Sequence, residues 1–244
     1  YTIGVALIVF IFIFVYSSKK WLKILAVVIN VLAALISMSK TGFFVFLVPM
    51  VYVLYLRGKI KLRTIGIILL ICIWFQYARS MASQQDSFSA TSMLTIYIMS
   101  PCVAFDYYVE PASATHFGEY VFRFYYAIMH SLGSDIEPVS NVLKFVGVPE
   151  ETNTYTILYP FYHDFGLPGV GLFGGLYGAF YAFLYKRAQS GQNVYFILYA
   201  CFLNYLILQF VQENILSNFS LNLQYVILIL FPYIFQQLSS RLSR

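Results

Sequence analysis

TNTYTILYPFYHDFGLPGVG, residues Thr152 to Gly171, is the stretch that decides how this chain is read. His163 and Asp164 stand side by side, Gly166 and Gly169 permit a tight backbone turn, and Pro168 can open a helix at its first turn, where no N–H partner is needed. The apolar run after Pro168 is long enough to enter a bilayer. A water-facing ionisable pair is thereby set at the mouth of a hydrophobic span, where a reactive group can meet a substrate held in lipid.

The rest of the composition agrees. Hydrophobic residues make up 60% of the chain, aromatics 20% and charged residues only 10%, and the mean hydropathy is +0.75. These values exclude an ordinary soluble domain and indicate an all-α polytopic membrane protein. Cys72, Cys102 and Cys201 are too far apart for a metal motif and odd in number, so they read as free thiols buried in lipid. The first residues are already hydrophobic, with neither an initiator Met nor a signal peptide, and the chain is expected to be the C-terminal part of a longer protein.

Seven spans are expected. Tyr1 to Tyr16, Trp21 to Met38, Thr41 to Leu56 and Thr64 to Ala78 form a group of four within residues 1–78; Leu167 to Tyr185, Asn193 to Val211 and Leu216 to Leu238 form a group of three within residues 166–244. Eleven of the 15 basic residues fall at Lys19, Lys20, Lys23, Arg57, Lys59, Lys61, Arg63, Lys186, Arg187, Arg241 and Arg244, and all ten acidic residues fall on the opposite side. Because cytoplasmic loops collect Lys and Arg, this bias puts the C-terminus in the cytoplasm.

Residues 79–165 then form a single periplasmic loop, too long for a connection and too rich in Tyr and Phe to be disordered. Within it, Thr95 to Val109 is apolar but interrupted by Pro101, which suggests an interfacial or re-entrant piece. Gly118 to Leu132 reads as a short helix whose Glu119, Arg123 and His130 share one face. Its aromatic residues suit the headgroup level.

A Ser-Lys-Thr knot at Ser39, Lys40 and Thr41, a large external loop, and then Asn153, Tyr155, Thr156, Asp164, Phe165, Gly166 and Gly169 leading into the last spans make a recognisable pattern. It resembles the Wzy-type O-antigen and capsular polysaccharide polymerases, or oligosaccharide repeat unit polymerases, which with the O-antigen ligases belong to a group of GT-C-like membrane glycosyltransferases. About 20 residues carry the likeness in sequence; the topology carries it along the chain. The resemblance implies a multi-pass enzyme of the bacterial inner membrane. It would join undecaprenyl-diphosphate-linked oligosaccharides on the external face, for lipopolysaccharide O-antigen, capsule or exopolysaccharide, without metal or cofactor. A chain-length regulator and a flippase are the implied protein partners; nucleic acid is not one. Relatives commonly carry Arg where this chain has Lys40, and the related ligases carry His where it has Thr152. An O-antigen ligase and a lipid-linked oligosaccharide flippase are the competing readings.

Transfer from a lipid diphosphate needs cations for the leaving group and a base for the acceptor hydroxyl. Lys40, Arg79 and Arg123 are the candidates for the diphosphate, because a cation near the external membrane boundary runs against the charge bias. The plainer alternatives are a helix C-terminal cap for Lys40, a snorkelling anchor for Arg79 and a Glu119 ion pair for Arg123. Asp164 is the candidate base or base-orienting carboxylate, with His163 as its competitor; the alternatives are a helix cap and an interfacial ring. Adjacent side chains on a helix diverge by about 100°, so one of the two is expected to face a cleft. Asn153, Tyr155, Tyr159, Tyr162 and Glu213 are candidates for holding sugar, against packing or loop polarity as the alternative.

Overall fold

The computed structural model describes residues 2–36, 40–56, 61, 63, 90–148 and 151–242. It is mostly helical. Three helices open the chain: α1 (Thr2–Tyr16), α2 (Lys20–Ile36) and α3 (Lys40–Leu56). Helix α4 (Ala90–Tyr108) and the short α5 (Arg123–Ser131) follow. Next comes a ribbon in which β1 (Val146–Gly147) pairs antiparallel with β2 (Glu151–Thr152). The last group is α6 (Tyr159–Gln189), α7 (Asn193–Ile207) with a 3-10 turn at Leu208–Phe210, and α8 (Phe219–Leu242).

Leu7, Phe10, Ile11, Phe46, Val53, Ile197, Ala200 and Ile229 are all but sealed in one core. α1 packs on α2 and α3, α7 packs on α3 and α6, and α8 closes on α7 and α1. The outer faces stay apolar: Ile24, Leu167, Leu172, Phe231 and Phe235 are each more than 60% exposed. Helix α6, and α7 with its 3-10 turn, are long and apolar enough to cross a membrane, and only 17% of the most apolar window of α6 is buried. A long apolar helix bare on most of its surface is not the core of a water-soluble domain; lipid or further helices must cover it. Shorter apolar helices are Gly4–Tyr16, Val45–Leu56 and Phe219–Phe235.

Two expectations are corrected. Pro101 does not interrupt the apolar piece of the loop, because α4 runs unbroken through it for 19 residues. The helix expected from Gly118 begins only at Arg123, since Gly118 has φ 62 and the N–H groups of Tyr120 and Val121 point at Asp164 instead of up a helix. Both described thiols are free, Cys201 buried in the protein and Cys102 on its surface. Cys72, Arg79 and the expected span from Thr64 to Ala78 lie outside the described residues.

Candidate functional site

Helix α6 bends at Gly166, whose φ of 66 and ψ of −154 lie in a region open essentially to glycine alone. Pro168 has no N–H, so the carbonyl of Asp164 loses its helical donor there. The carbonyls just before the bend find donors in the segment after α4: Ala112 N–H donates to Tyr162 O at 3.0 Å and Ser113 N–H to His163 O at 2.9 Å. At Gly169 an added Cβ would collide with the Phe161 carbonyl and the Phe165 side chain, so the two halves of the bend meet as closely as backbones can.

Asp164 completes this stitching. Its Oδ2 accepts the N–H groups of Tyr120 at 3.0 Å and Val121 at 2.8 Å, and its Oδ1 lies 3.1 Å from His163 Nδ1. The Asp164 side chain is wholly enclosed and that of His163 is 16% exposed. An ionised carboxylate only accepts, so this contact favours the proton on Nδ1, and in the neutral imidazole that tautomer leaves Nε2 with a lone pair. The roughly 100° between neighbouring helix positions therefore separates the two side chains in depth while their tips still meet. The His163 ring stacks on Tyr159, centroids 5.5 Å apart, and stands edge to face with Tyr120 at 4.9 Å.

Those two tyrosines line a cleft of about 170 Å³ together with buried Thr156 and Glu213, half-buried Gln212 and Asn218, and exposed Asn141. A second opening, about 210 Å³, continues from it past Asn141, Ser217 and Asn218 to Arg123 and Gln224, beside the start of α8. The far wall is tied to the Tyr159 segment by Thr156 N–H to Val211 O at 3.0 Å and Ile157 N–H to Gln209 O at 2.8 Å.

Arg123 does not pair with Glu119. Its Nε donates to Val139 O at 2.6 Å, while Glu119 Oε2 accepts the His116 N–H at 3.1 Å. Among the described residues the guanidinium has no carboxylate partner. Glu213 sits in a nest: Oε1 accepts from Tyr177 Oη at 2.5 Å and from Ile215 and Leu216 N–H at 2.5 and 2.8 Å, and Oε2 from Ser217 N–H at 2.8 Å. Four donors occupy this buried carboxylate, whose first effect is to fold the Asn214–Ser217 turn.

The remaining candidates fall elsewhere. Lys40 is the first residue of α3, and its side chain lies outside the described residues. Tyr155 is buried with Ala104 and Val146 and donates to Lys144 O at 2.8 Å. Burial, reinforced by Tyr108 and Tyr120, pushes its phenol up from the ordinary 10.0. Tyr162 packs on Phe105 at 5.3 Å, on the α4 side. Asn153 is half-buried just after the ribbon. Asn141, Gln212, Ser217 and Asn218 were not singled out as site residues by the sequence; the only signal was a local run of amides, Gln209, Gln212 and Asn214, beside Glu213. Among the described residues no three His, Cys, Asp or Glu side chains gather as a metal site would require.

The sequence model of the family described as "Putative O-antigen polymerase" matches residues 2–212, which is most of the chain. No curated protein and no solved structure matches it significantly.

Proposed function

Because the chain belongs to the O-antigen polymerase family, we propose that it is a membrane glycosyltransferase joining undecaprenyl-diphosphate-linked repeat units at the periplasmic face of the bacterial inner membrane. In this reading the chain has seven spans with a cytoplasmic C-terminus, the Arg79 to Phe165 loop is external, and a flippase and a chain-length regulator act beside it. The observation that carries the reading further than the family is Arg123: a guanidinium free of any described carboxylate, in an open cleft on the loop side of the helical core. Arg presents a planar fork suited to diphosphate, and the α8 N-terminus beside it adds the positive end of a helix. Lys40 and Arg79 supply further cations from the external ends of their spans.

His163 acts as the base, held by Asp164 in the tautomer that leaves Nε2 able to accept a proton. The acceptor hydroxyl gives its proton to Nε2 and its oxygen bonds to the anomeric carbon of the donor sugar. The bond from that carbon to the diphosphate oxygen breaks, and its electron pair leaves with the diphosphate, whose charge Arg123 stabilises. Arg123→Lys keeps a charge but loses the fork. It should lower kcat/KM for the lipid-linked repeat unit by about tenfold or more, and Arg123→Ala further. Full activity in both variants would remove Arg123 from the donor site.

A further inference from the structure

The cleft walled by Tyr120 and Tyr159 has a chemistry of its own. It adjoins the Arg123 opening through Asn141, Ser217 and Asn218, yet among the described residues no Lys or Arg lines it, and the one carboxylate in that lining, Glu213, already accepts four hydrogen bonds. Its polar rim is made of amides and hydroxyls. Asn218 Nδ2 has only the Ser217 hydroxyl, 3.5 Å away, Gln212 uses its Nε2 on Asn214, and Asn141 is exposed. These groups donate and accept alternately, as a ring of sugar hydroxyls requires. The rings of Tyr120 and Tyr159 meet edge to face at 5.0 Å and, with His163 and Tyr155 packed behind Tyr159, make an apolar wall for the C–H side of a pyranose. A volume of about 170 Å³ holds roughly six waters at about 30 Å³ each, which is room for a single sugar ring.

Resting on the polymerase reading above, we propose that this cleft is the subsite for the acceptor's terminal sugar. It selects a neutral pyranose through Asn141, Gln212 and Asn218 against the Tyr120–Tyr159 wall. An anionic sugar is disfavoured, because its carboxylate would be brought beside Glu213 with no cation among the described residues of the lining to meet it. The arrangement puts the acceptor on one side of the shared Asn141–Asn218 rim and the donor diphosphate on the other, with His163 against the rings of the acceptor wall.

The test reads binding apart from turnover. The free oligosaccharide released by mild acid from the organism's own lipid-linked repeat unit is titrated onto the full-length protein in nanodiscs, followed by saturation-transfer NMR. Asn218→Ala should weaken binding about fivefold to tenfold, the loss of one or two neutral hydrogen bonds. Asn141→Trp, which fills the cleft from an exposed position, should abolish it. The same oligosaccharide oxidised at its primary hydroxyls to carboxylates should bind at least about tenfold more weakly. Unchanged binding in folded Asn141→Trp and Asn218→Ala would overturn the subsite, and equal or tighter binding of the oxidised form would overturn its selectivity. Polymerisation by wild type is scored separately, so a ladder together with unaffected cleft variants sinks this inference alone. Absence of a ladder sinks the polymerase reading instead.

Discussion

Replacing Asp164 with Asn separates the structural work of this carboxylate from its proposed work on His163. In the wild type Oδ2 holds the Tyr120 and Val121 N–H groups at 3.0 and 2.8 Å, and Oδ1 holds His163 Nδ1 at 3.1 Å. An Asn oxygen can keep the two backbone donors, so the loop stays docked with neutral bonds in place of charge-assisted ones. Each charge-assisted bond contributes about 1.5–3 kcal/mol and each neutral one about 0.5–1.5 kcal/mol, which puts the loss at roughly 2–3 kcal/mol. Asp164→Ala leaves two buried N–H groups without an acceptor, at about 1–3 kcal/mol apiece, and should lower thermal stability further. The Asn side chain now turns its NH2 toward His163, so Nδ1 must accept and the ring proton moves to Nε2, the atom proposed to take the acceptor proton. Loss of a positioned base costs about 10²–10⁴ in rate. Asp164→Asn should therefore remain folded in nanodiscs by thermal unfolding yet extend the lipid-linked repeat unit at least about a hundredfold more slowly, with His163→Gln equally slow. A folded Asp164→Asn protein polymerising at the wild-type rate would refute the pairing argument and leave Asp164 as a loop anchor only.

Other perturbations report on the scaffold. Gly166→Ala puts a Cβ at φ 66 and ψ −154 and should cost about 1–3 kcal/mol in thermal unfolding although the added atom would make only ordinary contacts, 3.8 Å from Pro111 and 3.9 Å from Pro168; an unshifted midpoint would contradict the bend. Glu213→Gln should destabilise by about 1–3 kcal/mol, because its amide nitrogen cannot accept the Ser217 N–H that Oε2 holds; faster proteolysis of the Asn214–Ser217 turn is the readout, and unchanged cleavage would discount the nest. Tyr155→Phe should lose only the bond to Lys144 O, about 0.5–1.5 kcal/mol, and keep polymerisation; a large fall in kcat would return Tyr155 to the sugar site. Since folding raises the Tyr155 phenol above 10.0, its contribution is complete below that pH and is lost as pH rises through the folded value. Alkaline unfolding of Tyr155→Phe should accordingly be less steep than that of wild type.

The helices were largely legible because hydropathy is a local signal. Thr41 to Leu56 was expected where Lys40–Leu56 forms, and Asn193 to Val211 where Asn193–Ile207 continues into a 3-10 turn ending at Phe210. The bend at Gly166 could be read from Gly166 and Pro168, but the helical turns before it, Tyr159 to Phe165, could not, because their last carbonyls depend on Ala112 and Ser113 about fifty residues away. The same distance hid the site. Glu119 and Arg123 have the spacing of a helical ion pair, yet Tyr120 and Val121 commit their N–H groups to Asp164, the helix does not form there, and the pair separates. Asn141 and Asn218 meet across a cleft with no periodicity to announce it, whereas Asp164 and Glu213 stood out as carboxylates without their nests being visible.

The most direct measurement of the central claim is extension of the organism's own undecaprenyl-diphosphate-linked repeat unit by the full-length protein in nanodiscs with chelator present, resolved on a gel. The account predicts a ladder with repeat-unit spacing from wild type that fades in Arg123→Ala and in Asp164→Asn. A folded wild-type protein given authentic substrate that returns only the single repeat unit would contradict it.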